Sequence, residues 1–130
     1  MYGIEELIAL AAEKRASDVH LIAGLPPKCR IDGRIETLTD GGLTREDCEE
    51  YGRQLAGNAA DQIEAIGQLD FSASFAGRRL RVNLFRQQAA LSAAIRLLSS
   101  TIPNLSELGL PEAVNQFSSW NKGIILVTGE

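Results

Sequence analysis

The residues with the clearest chemical use are arginines. Arg79, Arg81 and Arg96 lie in the stretch 71–98, FSASFAGRRLRVNLFRQQAALSAAIRLL. A guanidinium is a permanent cation with a planar fork of donors, and two held side by side make a clamp for a phosphate. Whether they stand side by side depends on a register. From Arg79 to Phe85 the residues alternate with period two, Leu80, Val82 and Leu84 on one face, Arg79, Arg81 and Asn83 on the other. From Leu91 to Leu98 the two faces are Leu91, Ala93, Ile95 and Leu97, against Ser92, Ala94 and Arg96. Folding these runs antiparallel about Gln88-Ala89 sets Val82 against Ile95, Leu80 against Leu97 and Leu84 against Ala93. Apolar matching of this kind fixes a register. The same register sets Arg81 directly opposite Arg96. Like charges so placed destabilise a sheet by roughly 0.2–1 kcal/mol, so something must compensate, and a bound anion would. The plain alternative is two arginines splayed on a solvated face. On spacing alone that alternative has the edge, because Gln87-Gln88-Ala89-Ala90 lacks the glycine or asparagine usual in a hairpin turn. An odd-length loop would slip the register and part the pair.

Other chemistry-bearing residues point less far. Asp18 and His20, two apart on an expected strand, share a face. An acid–base pair would still need a nucleophile or a metal, and neither is nearby, so a structural role fits them better. Cys29 and Cys48 are the only cysteines. Without a CxxC spacing or paired histidines they make neither a zinc site nor a disulfide framework, and a reduced cytosolic compartment suits them.

The elements that must position the arginines follow from periodicity. Ile4 to Arg15 has helical spacing at Ile4, Leu7, Ile8 and Ala11. Val19 to Ile22 reads as a strand, Pro26-Pro27 as a turn, and Lys28 to Ile31 and Arg34 to Leu38 as a hairpin about Asp32-Gly33. Thr44 with Asp47 forms a capping box for a helix to about Leu55. A second helix covers Ala59 to Ile66 and Gly67 closes it. Leu69 to Phe75 alternates as a strand, and Ala76-Gly77 turns into the arginine strand. The whole is an α+β arrangement of antiparallel sheet and helices. Short helical pieces around 105–117 follow a linker-like stretch. The last run, Gly123-Ile124-Ile125-Leu126-Val127-Thr128-Gly129, is continuously apolar, the pattern of a strand buried on both faces, as at the start of a P-loop unit.

Length sets one domain of ordinary globular composition. Residues 1–70 hold fourteen Asp/Glu against seven Lys/Arg, and residues 71–130 three against six, so positive charge gathers on and near the arginine strands. The acidic balance and sparse aromatics argue against nucleic acid as a partner, and no long apolar span argues for insertion into a membrane.

Ala16-Ser17-Asp18-Val19-His20-Leu21, Ala23-Gly24-Leu25-Pro26-Pro27, Arg30-Ile31-Asp32-Gly33, Asp70-Phe71-Ser72, the Arg79 to Phe85 run, Ile102-Pro103, Leu108-Gly109-Leu110-Pro111 and the final apolar run together carry a resemblance. In that order they resemble the PilT-like type IV pilus retraction (twitching motility) ATPases of the secretion ATPase superfamily. The resemblance implies a PAS-like N-terminal domain over 1–102, an interdomain linker over 103–122, and the start of a RecA-like P-loop ATPase domain over 123–130. It implies a cytoplasmic homo-hexamer peripheral to the inner membrane, meeting a pilus inner-membrane platform protein and using ATP and Mg2+. It implies that Arg81 and Arg96, with Arg79 as a third, reach the ATP γ-phosphate when the domains close. It implies that the catalytic residues lie beyond Glu130, so the fragment is expected to be inactive alone, with no cofactor bound. One departure is Gln87-Gln88-Ala89, where the family often has Arg-Gly. The alternatives are a stand-alone PAS-like ligand-binding or signalling module, and the equivalent domain of a pilus-extension or type II secretion ATPase. The Ala-Gly-Leu-Pro-Pro segment speaks against the latter.

Overall fold

Ile4, Leu7, Ile8 and Ala11 form the buried stripe of α1 (Ile4–Glu13), as their spacing requires. The helix stops two residues short of Arg15 for a local reason. Arg15 takes a positive φ of 56°, its N–H reaches the Ala12 carbonyl at 3.0 Å, and the Ala16 N–H reaches the Ala11 carbonyl at 2.9 Å. That is a Schellman ending with arginine where glycine is usual. The computed structural model describes residues 2–129, and the chain divides after Ser100 into two units.

In the first unit α1 leads into β1 (Asp18–Leu21), β2 (Lys28–Ile31) and β3 (Arg34–Thr37), then α2 (Arg45–Ala56). The capping box at its start is complete: the Asp47 N–H donates to Thr44 Oγ1 at 3.1 Å and the Thr44 N–H to Asp47 Oδ2 at 2.8 Å. The single helix expected over 59–66 is instead a 3-10 helix, Gly57–Gln62, and one α turn, α3 (Ile63–Ile66). Gly57, Asn58 and Asp61 are poor interior helix residues, and the tighter coil tolerates them over a short span. Then come β4 (Gln68–Phe75), β5 (Arg78–Gln87) and β6 (Ala90–Leu97).

The six strands make one sheet in the order β3-β2-β1-β6-β5-β4, with every neighbouring pair antiparallel. One face carries Val19, Leu21, Leu80, Val82, Leu84, Leu91, Ala93 and Ile95 into a core shared with Leu7, Ile8 and Tyr51 of the helices. α2 lies so close to β6 that a Cβ on Gly52 would overlap Leu91 Cδ2. Glycine's intrinsic helix penalty is accepted there in return for close approach.

The hairpin register is the one the apolar matching predicts: Leu80 faces Leu97, Val82 Ile95, Leu84 Ala93, and Arg81 faces Arg96. Gln87 pairs with Ala90, so the loop has two residues, and Gln88 and Ala89 both take positive φ, 51° and 60°. The Asp32-Gly33 and Ala76-Gly77 turns do the same, as right-twisted strands demand of a two-residue loop. Only the third lacks a glycine. A left-handed alanine costs roughly 1–2 kcal/mol, while glycine adds roughly 0.4–1 kcal/mol of unfolded-state entropy to be lost. Ala89→Gly is therefore expected to stabilise the domain by about 0.5–1 kcal/mol. A higher urea midpoint at unchanged slope would register it; a lower midpoint would contradict it.

The second unit holds turns over 105–109 and a 3-10 helix, Glu112–Ser119, whose Phe117 ring lies 5.1 Å from Trp120. The apolar run 124–127 joins no ladder among the described residues. No strand forms over 124–129, and Ile124, Leu126 and Val127 stand exposed.

Candidate functional site

The sheet face opposite the helices carries the expected arginines. Alternation puts Arg79, Arg81 and Asn83 of β5 beside Ala94 and Arg96 of β6. β1 lies on the far side of β6, with Asp18 opposite Arg96 and His20 opposite Ala94. β4 lies beyond β5, with Asp70 opposite Asn83 and Ser72 opposite Arg81. Asp18, Asp70, Arg81, Asn83, Ala94 and Arg96 line a shallow cleft of about 210 Å³, floored by the small Ala94.

The guanidiniums are not left to repel each other. Arg96 Nε donates to Asp18 Oδ1 at 3.3 Å. Arg81 Nε and Nη2 donate to Asp70 Oδ1 and Oδ2 at 3.3 and 3.4 Å. The charges therefore run minus, plus, plus, minus across four strands. The compensation that the sequence assigned to a bound anion is supplied by two carboxylates. Arg79 shares the face, opposite Ser74, and makes no ion pair among the described residues.

Asp18 is more than a partner to Arg96. It accepts the Ser17 hydroxyl at 2.7 Å and lies 3.7 Å from Arg30 Nε. Burial alone would raise its pKa, but the Ser17 hydrogen bond, with the hydrogen bond and charge of Arg96, outweighs burial and holds it below the usual carboxylate range. Asp18 and His20 do share a face, as expected, yet they form no catalytic dyad. Asp18 is committed to arginines, and His20 Nε2 is buried without a hydrogen-bond partner among the described residues, as is Ser92 Oγ on the neighbouring strand. Cys29 and Cys48 are buried free thiols. Burial, with the charges of Asp47 and Glu49, pushes Cys48 up to about 11, so both fit inert packing rather than chemistry. No three His, Cys, Asp or Glu residues cluster in a way that could hold a metal ion among the described residues.

A larger depression, about 340 Å³, sits at the start of α2 beside Gly24, Thr44, Arg45 and Gln88. Two of its polar groups are already used: the capping box takes Thr44, and Arg45 Nη2 donates to the Gln88 carbonyl at 3.4 Å. The arginine face is the better site.

No protein-family model matches the chain. It is 38% identical over 131 residues to the uncharacterised protein YggR of Escherichia coli (strain K12), covering 98% of this chain and 39% of that protein. It is 34% identical over 128 residues to the type IV pilus retraction ATPase PilT of Pseudomonas aeruginosa, covering 97% of this chain and 37% of that one. A crystal structure of the pilus retraction motor PilT with bound ADP superposes with a TM-score of 0.76 at 40% identity, over 89% of this chain and 35% of that one. The chain has a PilT-like N-terminal domain. It spans less than two-fifths of the length of these relatives. The α+β architecture of six antiparallel strands and flanking helices in the PilT-like domain is the one its solved relative carries. No helix among the described residues is long and apolar enough to cross a membrane.

Proposed function

We propose that this chain is the nucleotide-facing N-terminal part of a hexameric ATPase that powers pilus retraction. The observation that carries the reading is the direct cross-strand pairing of Arg81 with Arg96 on the open sheet face, in a domain similar to that of an ADP-bound retraction motor. In this reading residues 1–102 form the domain that closes on ATP, 103–122 link it onward, and 123–130 begin a RecA-like ATPase domain. That second domain holds the nucleotide and any Mg2+. The metal fits it better than this chain, whose open face offers guanidiniums and paired carboxylates rather than a cluster of free oxygen ligands. Arg81 and Arg96 face the γ-phosphate on closure, with Arg79 nearby as a third cation. Guanidiniums there stabilise charge developing on the transferred phosphoryl group. Hydrolysis removes the anion, the clamp loses its ligand, and the domains reopen. Repeated around a cytoplasmic ring docked on an inner-membrane platform protein, this cycle does mechanical work.

Deleting the gene tests the role. Twitching is expected to stop with pili still on the surface, and the full-length chain is expected to restore it; twitching that persists would reject the retraction assignment. Residues 1–130 alone are expected to hydrolyse no ATP and to bind it poorly, because half of the site is elsewhere. Nanomolar binding by the isolated chain would contradict the two-domain site.

A further inference from the structure

We infer that the two carboxylates on the arginine face have opposite roles: Asp70 is a displaceable occupant of Arg81, and Asp18 is the fixed support of Arg96. A phosphoryl group then enters the clamp by exchange with Asp70 alone. The inference rests on the reading of Arg81 and Arg96 as phosphate ligands and says how that site is kept when no phosphate fills it.

The asymmetry is in the geometry. Asp18 lies on an inner strand with its side chain 17% exposed, and it answers to Ser17, Arg30 and Arg96 together. Asp70 lies on the edge strand β4, 50% exposed, and among the described residues its carboxylate meets only Arg81. Its two contacts, 3.3 and 3.4 Å, are no shorter than the single 3.3 Å contact between Arg96 and Asp18, so the two carboxylates differ in exposure and in number of partners rather than in bond length. An exposed ion pair of this kind contributes little and is readily exchanged.

The arginines are committed differently as well. Arg96 meets Asp18 through Nε only, so both of its Nη groups are uncommitted among the described residues. Arg81 commits Nε and Nη2, one edge of its fork, to Asp70. An arriving phosphoryl oxygen therefore finds the Arg96 Nη groups ready. It then competes with Asp70 for Arg81, whose side chain is 66% exposed and has room to turn. When the anion leaves, Asp70 recaptures Arg81. This prevents the bare like-charge pair that would otherwise strain the sheet. Asp18 takes no part in the exchange, because Ser17 and Arg30 hold its carboxylate in place beside Arg96.

The test is equilibrium binding of a non-hydrolysable ATP analogue to the full-length protein, with KM and kcat for ATP measured beside it. Asp70→Asn keeps the side-chain size and removes the competitor. It is expected to tighten binding and lower KM roughly threefold, the size of an exposed ion pair. Asp18→Asn is expected to weaken binding, because Arg96 loses its support. Asp40→Asn, at an exposed position in the loop before α2, changes net charge equally and is expected to leave binding unaltered. If Asp70→Asn weakens binding, or matches Asp40→Asn, while Arg81→Ala still weakens it, the exchange is wrong and the clamp stands. If Arg81→Ala binds the analogue as the parent does, the clamp reading itself falls and takes the exchange with it.

Discussion

Alanine at Arg81 in the full-length protein is expected to lower kcat for ATP by about 10²-fold or more, with the proposed ring still assembled. The magnitude follows from the charge an arginine contributes to phosphoryl transfer, about 10³–10⁵-fold where it acts alone, reduced here because Arg96 remains. Structural damage does not explain such a loss. Arg81 is exposed, its one ion pair among the described residues is with an exposed carboxylate, and its removal relieves the like-charge opposition to Arg96. Urea unfolding of the variant should match the parent to within about 1 kcal/mol. Lysine at the same position should rescue little, since a single ammonium cannot present the fork. Arg81→Ala with Arg96→Ala should cost less than the product of the single losses, as groups that act on one anion are not additive. Turnover unchanged in Arg81→Ala, with the ring intact on size exclusion, would sink the assignment.

How much of this was legible in the sequence depends on the range of each interaction. The Arg81–Arg96 pairing was legible, because three apolar pairs agree on one register. The capping box at Thr44 was legible for the same local reason. The turn that joins the arginine strands was not. Gln88 and Ala89 have no preference for positive φ, and it is imposed on them by the two long strands they connect. The early end of α1 at a left-handed Arg15 is equally silent in composition. Least legible was the insertion of β1 beside β6, which brings Asp18 to an arginine 78 positions away. A signal existed: Asp18 shares the parity of the polar face on its strand, as Asp70 does on β4, and an acidic residue on each flank suits two adjacent cations. Without the strand order that signal had no address. So the compensation expected from a bound anion is supplied by the sheet's own two carboxylates.

The second large effect falls on the core, at the residue that ties α2 to the start of the chain. Tyr51 is 1% exposed, and its hydroxyl donates to the Tyr2 carbonyl at 2.7 Å. Two residues on, the Ile4 N–H donates to Gln54 Oε1 at 3.0 Å, so both helices depend on this corner. Tyr51→Ala removes a buried ring and is expected to cost about 3–5 kcal/mol, a large share of the roughly 5–15 kcal/mol that holds a domain of this size. Tyr51→Phe keeps the ring and leaves the Tyr2 carbonyl short of a donor, for about 0.5–1.5 kcal/mol. The two variants also separate the ring from the phenol as a function of pH. Burial, with the charges of Asp47, Cys48 and Glu6, pushes the Tyr51 phenol up to about 12. A folded pKa above the unfolded value near 10 means that its stabilising contribution is whole below pH 10 and is lost as pH rises towards 12. Unfolding free energy in the parent should therefore drop across pH 10–12 more steeply than in Tyr51→Phe, which lacks the titrating group. Identical alkaline slopes in the two proteins would show that the phenol does not stay protonated at this corner, whatever the ring contributes to packing.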